Sequence, residues 1–254
     1  MNCHWSFITV TYNSESKLRA YWDQPLGEDV EWIVVDNHSN DASCSVAVDL
    51  GAKVVPLNQN LGFSRANNIG LRLAQGDYVA FLNPDVRPLP ATLPRLRAEI
   101  DNRNGLALVA PQLLSDDGSL QPNGRGEPYL LNKVMHRICP QAVDNSYRLF
   151  ADPGTIREVS WLMGAAVICR RDVVRSFGGW PEEYFIYYED TDLGLEMRDR
   201  GIPSYIVGDV QWIHGWARDT ARFNFRAWTY ELRSMLRFYS RHPRYLSPIP
   251  RTKS

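Results

Sequence analysis

The stretch DYVAFLNPDV, from Asp77 to Val86, gives the strongest indication of the fold. Five apolar residues, Tyr78 to Leu82, lie between a Gly-Asp pair and an Asn-Pro pair, which predicts a short buried strand. Pro84 has no N–H to donate to a sheet, so the strand should end before it and leave Asp85 at its carboxyl edge. Open α/β sheets bind ligands at this edge. A strand followed by an ordinary turn explains the same residues.

Apolar runs alternate with helical stretches on both sides of this strand. The other predicted strands of the first half are Ser6 to Val10, Glu31 to Val35, Lys53 to Leu57 and Leu106 to Leu114, and the predicted helices are 15–22, 43–50, 64–74 and 91–100. We expect Ser14 and Ser64 to act as helix N-caps. The alternation indicates an α/β fold with a mostly parallel sheet and right-handed crossovers.

Three of these predicted strands stop at polar clusters. Because the carboxyl ends of parallel strands share one edge, we expect Tyr12, Asp36 and Asp85 to converge. An aromatic ring can stack on a base, one carboxylate can accept hydrogen bonds from a nucleoside, and another can hold a divalent cation, which prefers oxygen ligands. The sequence contains neither G-x-G-x-x-G nor G-x-x-x-x-G-K-[ST], so it does not support dinucleotide or P-loop binding.

The second half begins with Ser115 to Pro153, a stretch rich in Gly, Pro, Asn and Asp. We interpret it as a long excursion across the sheet edge that covers a substrate, with some helix around Leu130 to Ile138; disorder is the alternative. Further strands are predicted at Ala165 to Cys169, Ser204 to Val207 and Val210 to Trp216.

A pair of acidic residues, Glu189 and Asp190, directly precedes a short amphipathic helix that Gly201 ends. The helix dipole favours the ionised form of Asp190. Four aromatic residues come just before the pair and are expected to form the wall of a pocket: Tyr184, Phe185, Tyr187 and Tyr188. The alternative is that Asp190 merely caps the helix and Asp192 lies on its first turn.

His214 lies between two tryptophans, Trp212 and Trp216. A metal ligand and a half-buried structural histidine both fit this position.

Composition excludes several classes of protein. The net charge of −1 argues against a nucleic-acid binder. The four cysteines contain no C-x-x-C pair, which excludes a zinc ribbon and predicts a reducing compartment. The N-terminus lacks a basic region of the signal-peptide type, and the longest apolar run, Trp161 to Cys169, is about half a membrane span. We therefore expect a cytoplasmic protein that is soluble or peripheral on the inner face of the cell membrane.

The C-terminal segment is the one place where charge is segregated. From Arg218 onward, nine Lys/Arg stand against Asp219 and Glu231, a net charge of +7. On a helix over Thr220 to Arg241, which Pro243 ends, basic and apolar residues fall on separate arcs. The basic arc holds Arg222, Arg226, Arg233, Arg237 and Arg241, and the apolar arc holds Phe225, Trp228, Leu232, Met235, Leu236 and Tyr239. Such a helix suits anionic lipid or a polyprenyl pyrophosphate; a solvated basic face is the alternative.

Taken together, these stretches resemble the inverting glycosyltransferases of family 2, which have the GT-A fold, and in particular their bacterial rhamnosyltransferase-like branch. The matching motifs are TVTYNS, VVDNHSND, NLGFSRANNIG, DYVAFLNPDV, WLMGAAVICRR, GGWPEEYFIYYEDTDLGLEMRDRG and IHGW. They occur in family order and cover residues 6 to about 216. The resemblance implies a Rossmann-like nucleotide-sugar-binding half (1–114), an acceptor-binding half (115–217) and a basic C-terminal helix and tail (218–254).

The resemblance also implies site residues. The nucleoside-diphosphate sugar would be bound by Thr11, Tyr12, Asp36, Arg65, Asn67, Asn83 and Asp85. Asp85, joined by His214, would hold Mg²⁺ or Mn²⁺. Asp190 would be the general base, and the glycan or polyprenyl-linked acceptor would be bound by Glu189, Asp192, Trp161, Gly164 and Tyr188.

Two departures from the family pattern stand out. Asn83 replaces the first acid of the family's D-x-D element, so the metal has fewer protein ligands, and Trp180-Pro181 follows the Gly-Gly pair where many relatives have Phe-Asp. One base and no nucleophile dyad are consistent with inversion by single displacement. A non-catalytic sugar-nucleotide-binding module and a nucleotidyltransferase on a related sheet remain the alternatives.

Overall fold

A central sheet of nine strands organises the part of the chain that the computed structural model describes, which is residues 4–133, 147–215 and 225–247. The strands are β1 Trp5–Thr11, β2 Val30–Asp36, β3 Lys53–Pro56, β4 Tyr78–Leu82, β5 Val86–Arg87, β6 Leu108–Leu114, β7 Gly124–Arg125, β8 Arg148–Leu149, β9 Ile156–Val159, β10 Trp161–Leu162, β11 Ala166–Arg170 and β12 Ser204–His214. The helices are α1 Glu15–Tyr21, α2 Ser43–Asp49, α3 Phe63–Leu73, α4 Leu93–Asp101, α5 Arg171–Ser176, α6 Glu189–Asp199 and α7 Phe225–Arg241. Residues 130–133 are also helical.

The main sheet has the order β3-β2-β1-β4-β11-β6-β12-β5, and β9 pairs with β12. Strands β1 to β4 are parallel, as predicted. The second half departs from a purely parallel sheet, because β11 lies between β4 and β6 and is antiparallel to both. An antiparallel neighbour needs no helical crossover. Part of the chain between β6 and β11 instead forms a second, three-stranded sheet in the order β10-β7-β8.

Strand β4 is buried on both faces, which explains its uninterrupted apolar sequence. Tyr78 and Ala80 belong to the core on one face, where α1, α2 and α4 pack, and Val79 and Phe81 belong to the core on the other, with α3, α5 and α6. Phe81 is fully buried, which stabilises the fold by about 1.5–3 kcal/mol relative to an exposed side chain. The strand prediction from DYVAFLNPDV is confirmed.

Two features near the strand ends depend on pairing between distant segments and could not be predicted from local sequence. The chain re-enters the sheet after Pro84 as β5, where Val86 pairs with His214 at the end of β12. Residues 204–214 form one strand with a register shift between Val207 and Gln211, not the two strands predicted. As a result, Asp85 and His214 lie side by side.

Neither predicted serine cap is present. Ser14 makes no side-chain cap bond to α1, and α3 begins after Gly62, two residues earlier than a Ser64 cap would place it. Gly62 has φ +85°, and a Cβ there would lie 2.4 Å from the carbonyl oxygen of Phe185. That oxygen accepts a hydrogen bond from Phe63 N at 2.9 Å. A glycine is therefore required where α3 begins against the segment before α6.

The excursion predicted at 115–153 is more structured than expected, since it contains β7, β8 and helical residues from Leu130. The rest of the predicted 130–138 helix lies outside the described residues. The proposed boundary at 114 coincides with the end of β6, and the boundary at 217 falls outside the described residues. The division into halves stays a prediction.

The C-terminal helix α7 packs on the domain through a third apolar cluster that includes Tyr184, Leu195, Phe238 and Tyr239. It ends at Arg241, before Pro243, as predicted. Its buried face is not the predicted apolar arc: Tyr239 is buried, but Leu232 and Leu236 are 51% and 60% exposed.

Part of the basic arc is engaged by the domain. Arg237 donates to the carbonyl oxygen of Glu183 (2.9 Å), and Arg241 pairs with Glu183 (3.0 Å) and Asp192 (3.2 Å). Arg222 and the side chain of Arg226 lie outside what is described. In the ranges that are described, no helix has both the length and the apolar character of a membrane span.

Candidate functional site

The carboxyl ends of β1 and β2 meet as predicted. Thr11 and Asp36 are partners in the sheet register, and the Thr11 hydroxyl donates to Asp36 Oδ1 at 2.8 Å. The backbone N–H of Ser39 donates to Asp36 Oδ2 at 2.9 Å, so the buried carboxylate has a fixed orientation. Beside it, Tyr12 is 52% exposed and offers a ring for stacking.

The two residues predicted at the start of α3 differ in their surroundings. Arg65 is exposed and lies 3.7 Å from Glu182. Asn67 is buried, and its amide donates to the Phe63 carbonyl of its own helix at 3.2 Å. This contact uses one of the two N–H groups of the Asn67 amide. The predicted diphosphate contacts of Asn67 and Arg65 both stay predictions.

Sequence reasoning missed Asn37, which holds the loop between Asn60 and Phe63. Its amide accepts from Leu61 N at 2.7 Å and donates to the Gly62 carbonyl at 3.2 Å. The residue directly follows Asp36, so it links the nucleoside end of the site to the start of α3. Its place at the end of a predicted strand was the available signal.

Asp85 is buried at the other end of this edge, between two basic side chains. Its Oδ2 lies 2.8 Å from Lys17 Nζ, and its Oδ1 lies 3.4 Å from His214 Nε2. Burial alone would raise the pKa of Asp85, but the neighbouring His214 and Lys17 outweigh burial and hold that pKa below its usual range. Lys17 was not predicted, because its approach to Asp85 depends on how α1 packs.

The orientation of His214 is fixed by Gln121. The Gln121 amide nitrogen donates to the His214 carbonyl at 2.8 Å and to Ser115 Oγ at 3.1 Å, so its oxygen faces His214 Nδ1 at 2.8 Å. With Nδ1 as donor, a neutral imidazole presents the lone pair of Nε2 to the Asp85 carboxylate. Two acceptors that face each other need a proton or a cation between them.

This donor set fits a divalent cation. Asp85 Oδ1 has no hydrogen-bond partner among the residues described, and Gln121 is the kind of outer partner that orients a ligating histidine. Within the same ranges, no group of three or more His, Cys, Asp or Glu could hold a metal. Asp85 and His214 would therefore need oxygens of a bound diphosphate to complete the coordination. Asn83 stands beside them as a neutral, half-buried amide.

A cavity of about 630 Å³ opens at the N-terminus of α6. Its lining includes Trp161, Tyr188, Glu189 and Asp190, which were predicted to bind the acceptor or to act as the base; these roles stay predictions. Asp190 Oδ2 accepts a hydrogen bond from Gly164 N at 3.1 Å, and Oδ1 accepts one from Thr191 N at 2.7 Å. Gly164 therefore orients the Asp190 carboxylate by a backbone contact.

The turn before α6 is strained. Tyr187 and Tyr188 have φ of 71° and 72°, in the left-handed region that costs roughly 1–2 kcal/mol for each such residue. Both side chains line the cavity, so half of the predicted aromatic wall is confirmed. Tyr184 is instead buried in the third apolar cluster, and the ring of Phe185 stacks on Tyr230 at 4.6 Å.

Two further titratable groups in the cavity have unusual environments. Burial and the negative charge of Asp190 raise the pKa of Glu189 to about 8. Burial lowers the pKa of Lys133 to about 8. Glu189 is therefore mainly protonated at neutral pH. Lys133 was missed, because its position in the predicted covering segment gave no signal of this contact.

Asp192 does not line the cavity, so its predicted role in acceptor binding needs correction. Its side chain is fully buried and pairs with Arg241 at 3.2 Å and with His242. Its role is to anchor the C-terminal helix α7 against α6.

We expect Glu189→Gln to stabilise the protein increasingly as the pH rises from 5 to 8. The folded-state pKa of Glu189, about 8, lies above the ordinary 4.5. The stability contributed by the protonated side chain is therefore complete below pH 4.5 and is lost as the pH rises through 8. The amide cannot ionise, so the variant should be more stable at pH 8 by about 2 kcal/mol or more. Denaturant unfolding at pH 5, 6.5 and 8 measures this. Glu28→Gln, at an exposed position, is the control, and parallel pH profiles of the Glu189 variant and the wild type would contradict the assignment.

The cavity and the sheet edge touch through residues 164–165. Asn83 N donates to the Ala165 carbonyl at 2.9 Å, while the preceding residue, Gly164, holds Asp190. The sheet edge that carries Asp85 and the cavity that carries Asp190 thus adjoin, as the two halves of a group-transfer site would.

The sequence profile described as Glycosyl transferase family 2 matches residues 6–163. The chain belongs to this family, and its class of activity is glycosyl transfer.

Named relatives agree with this class. The chain is similar to N-acetylglucosaminyl-diphospho-decaprenol L-rhamnosyltransferase of Mycobacterium tuberculosis, with 28% identity over 236 residues, covering 85% of this chain and 77% of the relative. It is also similar to the dTDP-rhamnosyl transferase RfbF of Shigella flexneri, with 26% identity over 226 residues, covering 84% and 70%.

A solved structure shows the same fold. The mannosyltransferase PcManGT from Pyrobaculum calidifontis, in complex with GDP-Man and Mn²⁺, superposes with a TM-score of 0.61 at 17% identity, covering 97% of this chain and 66% of that one. The chain therefore has the GT-A fold, in which a mostly parallel central sheet is flanked by helices.

Proposed function

We propose that this protein transfers a sugar, with rhamnose as the first candidate, from a nucleoside diphosphate to a hydroxyl of a polyprenyl-diphosphate-linked glycan. The transfer inverts the anomeric carbon and depends on Mg²⁺ or Mn²⁺. The observation that carries this proposal is the junction at residues 164–165, which joins the Asp190 carboxylate to the end of β4. The named rhamnosyltransferases support the choice of sugar and acceptor, and the Mn²⁺ complex supports the metal.

Each side chain has a distinct task in this proposal. Tyr12 stacks on the base, and Asp36, held by Thr11, accepts hydrogen bonds from the nucleoside. Asp190 takes the proton of the acceptor hydroxyl as that oxygen attacks the anomeric carbon and the bond to the diphosphate breaks. A single carboxylate that acts as base, without a covalent intermediate, gives inversion.

Asp85 and His214 would hold the divalent cation, and Gln121 would orient His214. When bound, the cation supplies electrostatic stabilisation of the leaving diphosphate. Lys17 lies 2.8 Å from Asp85 and provides a further positive charge at the same end.

A panel of sugar nucleotides tests the proposal. Calorimetric titration with dTDP-rhamnose, UDP-N-acetylglucosamine and GDP-mannose, with and without Mn²⁺, should show one preferred donor whose binding the metal strengthens. A transfer assay with that donor should show turnover. Binding without any transfer or donor hydrolysis would indicate a non-catalytic module, and preferential binding of a nucleoside triphosphate would indicate a nucleotidyltransferase.

We also propose peripheral association with the inner face of the cell membrane. Arg233 is exposed on α7, while Arg237 and Arg241 are partly engaged by the domain. Each basic residue near an anionic surface contributes about 1 kcal/mol, and salt weakens the attraction. Flotation with anionic liposomes at low salt is the test; a protein that stays in the soluble fraction would refute this part.

A further inference from the structure

The ammonium group of Lys133 lies against the aromatic wall of the cavity. Its Nζ is 3.7 Å from the ring centre of Tyr188 and 5.2 Å from that of Trp161. Among the residues that the structure describes, its side chain forms cation–π contacts and no ion pair. The carboxylates of Asp190 and Glu231 line the same cavity and attract Lys133, but neither forms an ion pair with it among the described residues. An anionic ligand in the cavity would therefore give this buried ammonium its direct counter-charge. The same cavity contains Asp190, the candidate base.

A hydrocarbon surface completes the cavity and continues outside it. Leu130, Leu232 and Met235 line the cavity. Leu236 follows Leu232 at helical spacing, and both are more than half exposed. Residues four apart lie on one helix face, so Leu232 and Leu236 form an apolar stripe that runs from the cavity along α7.

We propose that this cavity recognises the acceptor as an amphiphile. Lys133 binds the acceptor diphosphate, the stripe of Leu232 and Leu236 takes the first units of the prenyl chain, and the sugar hydroxyl lies at Asp190. A cavity of about 630 Å³ is of the size that binds small ligands but too small for a long lipid, which must leave it along a surface. This inference rests on the proposed function, since Asp190 marks the sugar end.

Farnesyl diphosphate is a suitable probe, because it carries the diphosphate and three prenyl units without a sugar. Titration calorimetry in EDTA should show that Lys133→Met weakens its binding tenfold or more. Lys53→Met, which removes an exposed lysine on β3, is the matched control and should leave the affinity unchanged. Leu236→Gln should weaken binding of farnesyl diphosphate at least threefold but leave inorganic pyrophosphate unaffected, and Leu131→Gln, at an exposed position nearby, should change neither.

Thermal unfolding and nucleoside-diphosphate binding confirm that each variant is folded. Unchanged farnesyl diphosphate affinity in folded Lys133→Met would overturn the role of Lys133, as would an equal loss of binding in Lys53→Met. Equal affinity of the wild type for farnesyl diphosphate and pyrophosphate would overturn the role of the stripe. The probe carries no sugar, so its binding does not depend on sugar transfer. If its binding depends on Lys133 but the transfer assay shows no turnover, this inference is upheld and the proposed function fails.

Discussion

Asp190→Asn should lower the rate of sugar transfer by about 10²-fold or more and leave donor affinity nearly unchanged. The substitution removes the basicity of the side chain but keeps its shape. The amide oxygen can still accept the hydrogen bond that Gly164 N now donates to the carboxylate at 3.1 Å. Since Asp190 lines the cavity on the acceptor side, the nucleotide contacts at Thr11, Asp36 and Asp85 should be intact.

The two quantities must be measured on one preparation, the transfer rate with a suitable acceptor and the donor affinity by calorimetry. Asp49→Asn makes the same change at an exposed position on α2 and should leave both values at the wild-type level. Near-normal transfer by the Asp190 variant would move the base to Glu189, because Asp192 is fully buried under α7. Lost donor affinity would make Asp190 a donor ligand instead.

The first half of the fold could be predicted because its signals are local. Strands such as β4, buried on both faces, show as continuous apolar runs, and the parallel arrangement of β1, β2 and β4 follows from the helices between them. The meeting of the carboxyl ends of β1 and β2 followed from that topology, whereas Thr11 was indicated only by the family resemblance. The acidic pair at the start of α6, Glu189 and Asp190, was also predicted from local sequence.

The remaining features depend on contacts between distant segments. Lys17 reaches Asp85 because α1 packs on one face of the sheet, and His214 reaches it because β5 pairs with β12. Asp192 looked like an exposed residue of a first helical turn, yet docking of α7 buries it. Gly62 replaced the expected serine cap because the carbonyl of Phe185 leaves no room for a side chain.

The second large effect concerns the metal. Asp85→Asn keeps the size of the side chain but removes the charge that His214 and Lys17 now face. We expect the variant to lose most of the strengthening that Mn²⁺ gives to nucleoside-diphosphate binding, about 10²-fold, because an amide is a much poorer ligand for a divalent cation than a carboxylate. Binding in EDTA should persist, since Lys17 is then free to face the diphosphate.

Calorimetry of a nucleoside diphosphate in Mn²⁺ and in EDTA separates the metal-dependent part of the affinity from the part that needs no metal. Asp116→Asn is the matched control, because Asp116 lies near His214 but accepts its hydrogen bonds from the Tyr21 hydroxyl, at 3.0 Å. Gln121→Met should weaken the Mn²⁺ effect about 10-fold or more, since His214 would lose the partner that orients it. If Mn²⁺ strengthens binding to Asp85→Asn as much as to the wild type, Asp85 is not a ligand, and its partners serve only to stabilise the end of the sheet. If the EDTA affinity falls as well, Asp85 supports the nucleotide through the structure of this edge and not through a cation.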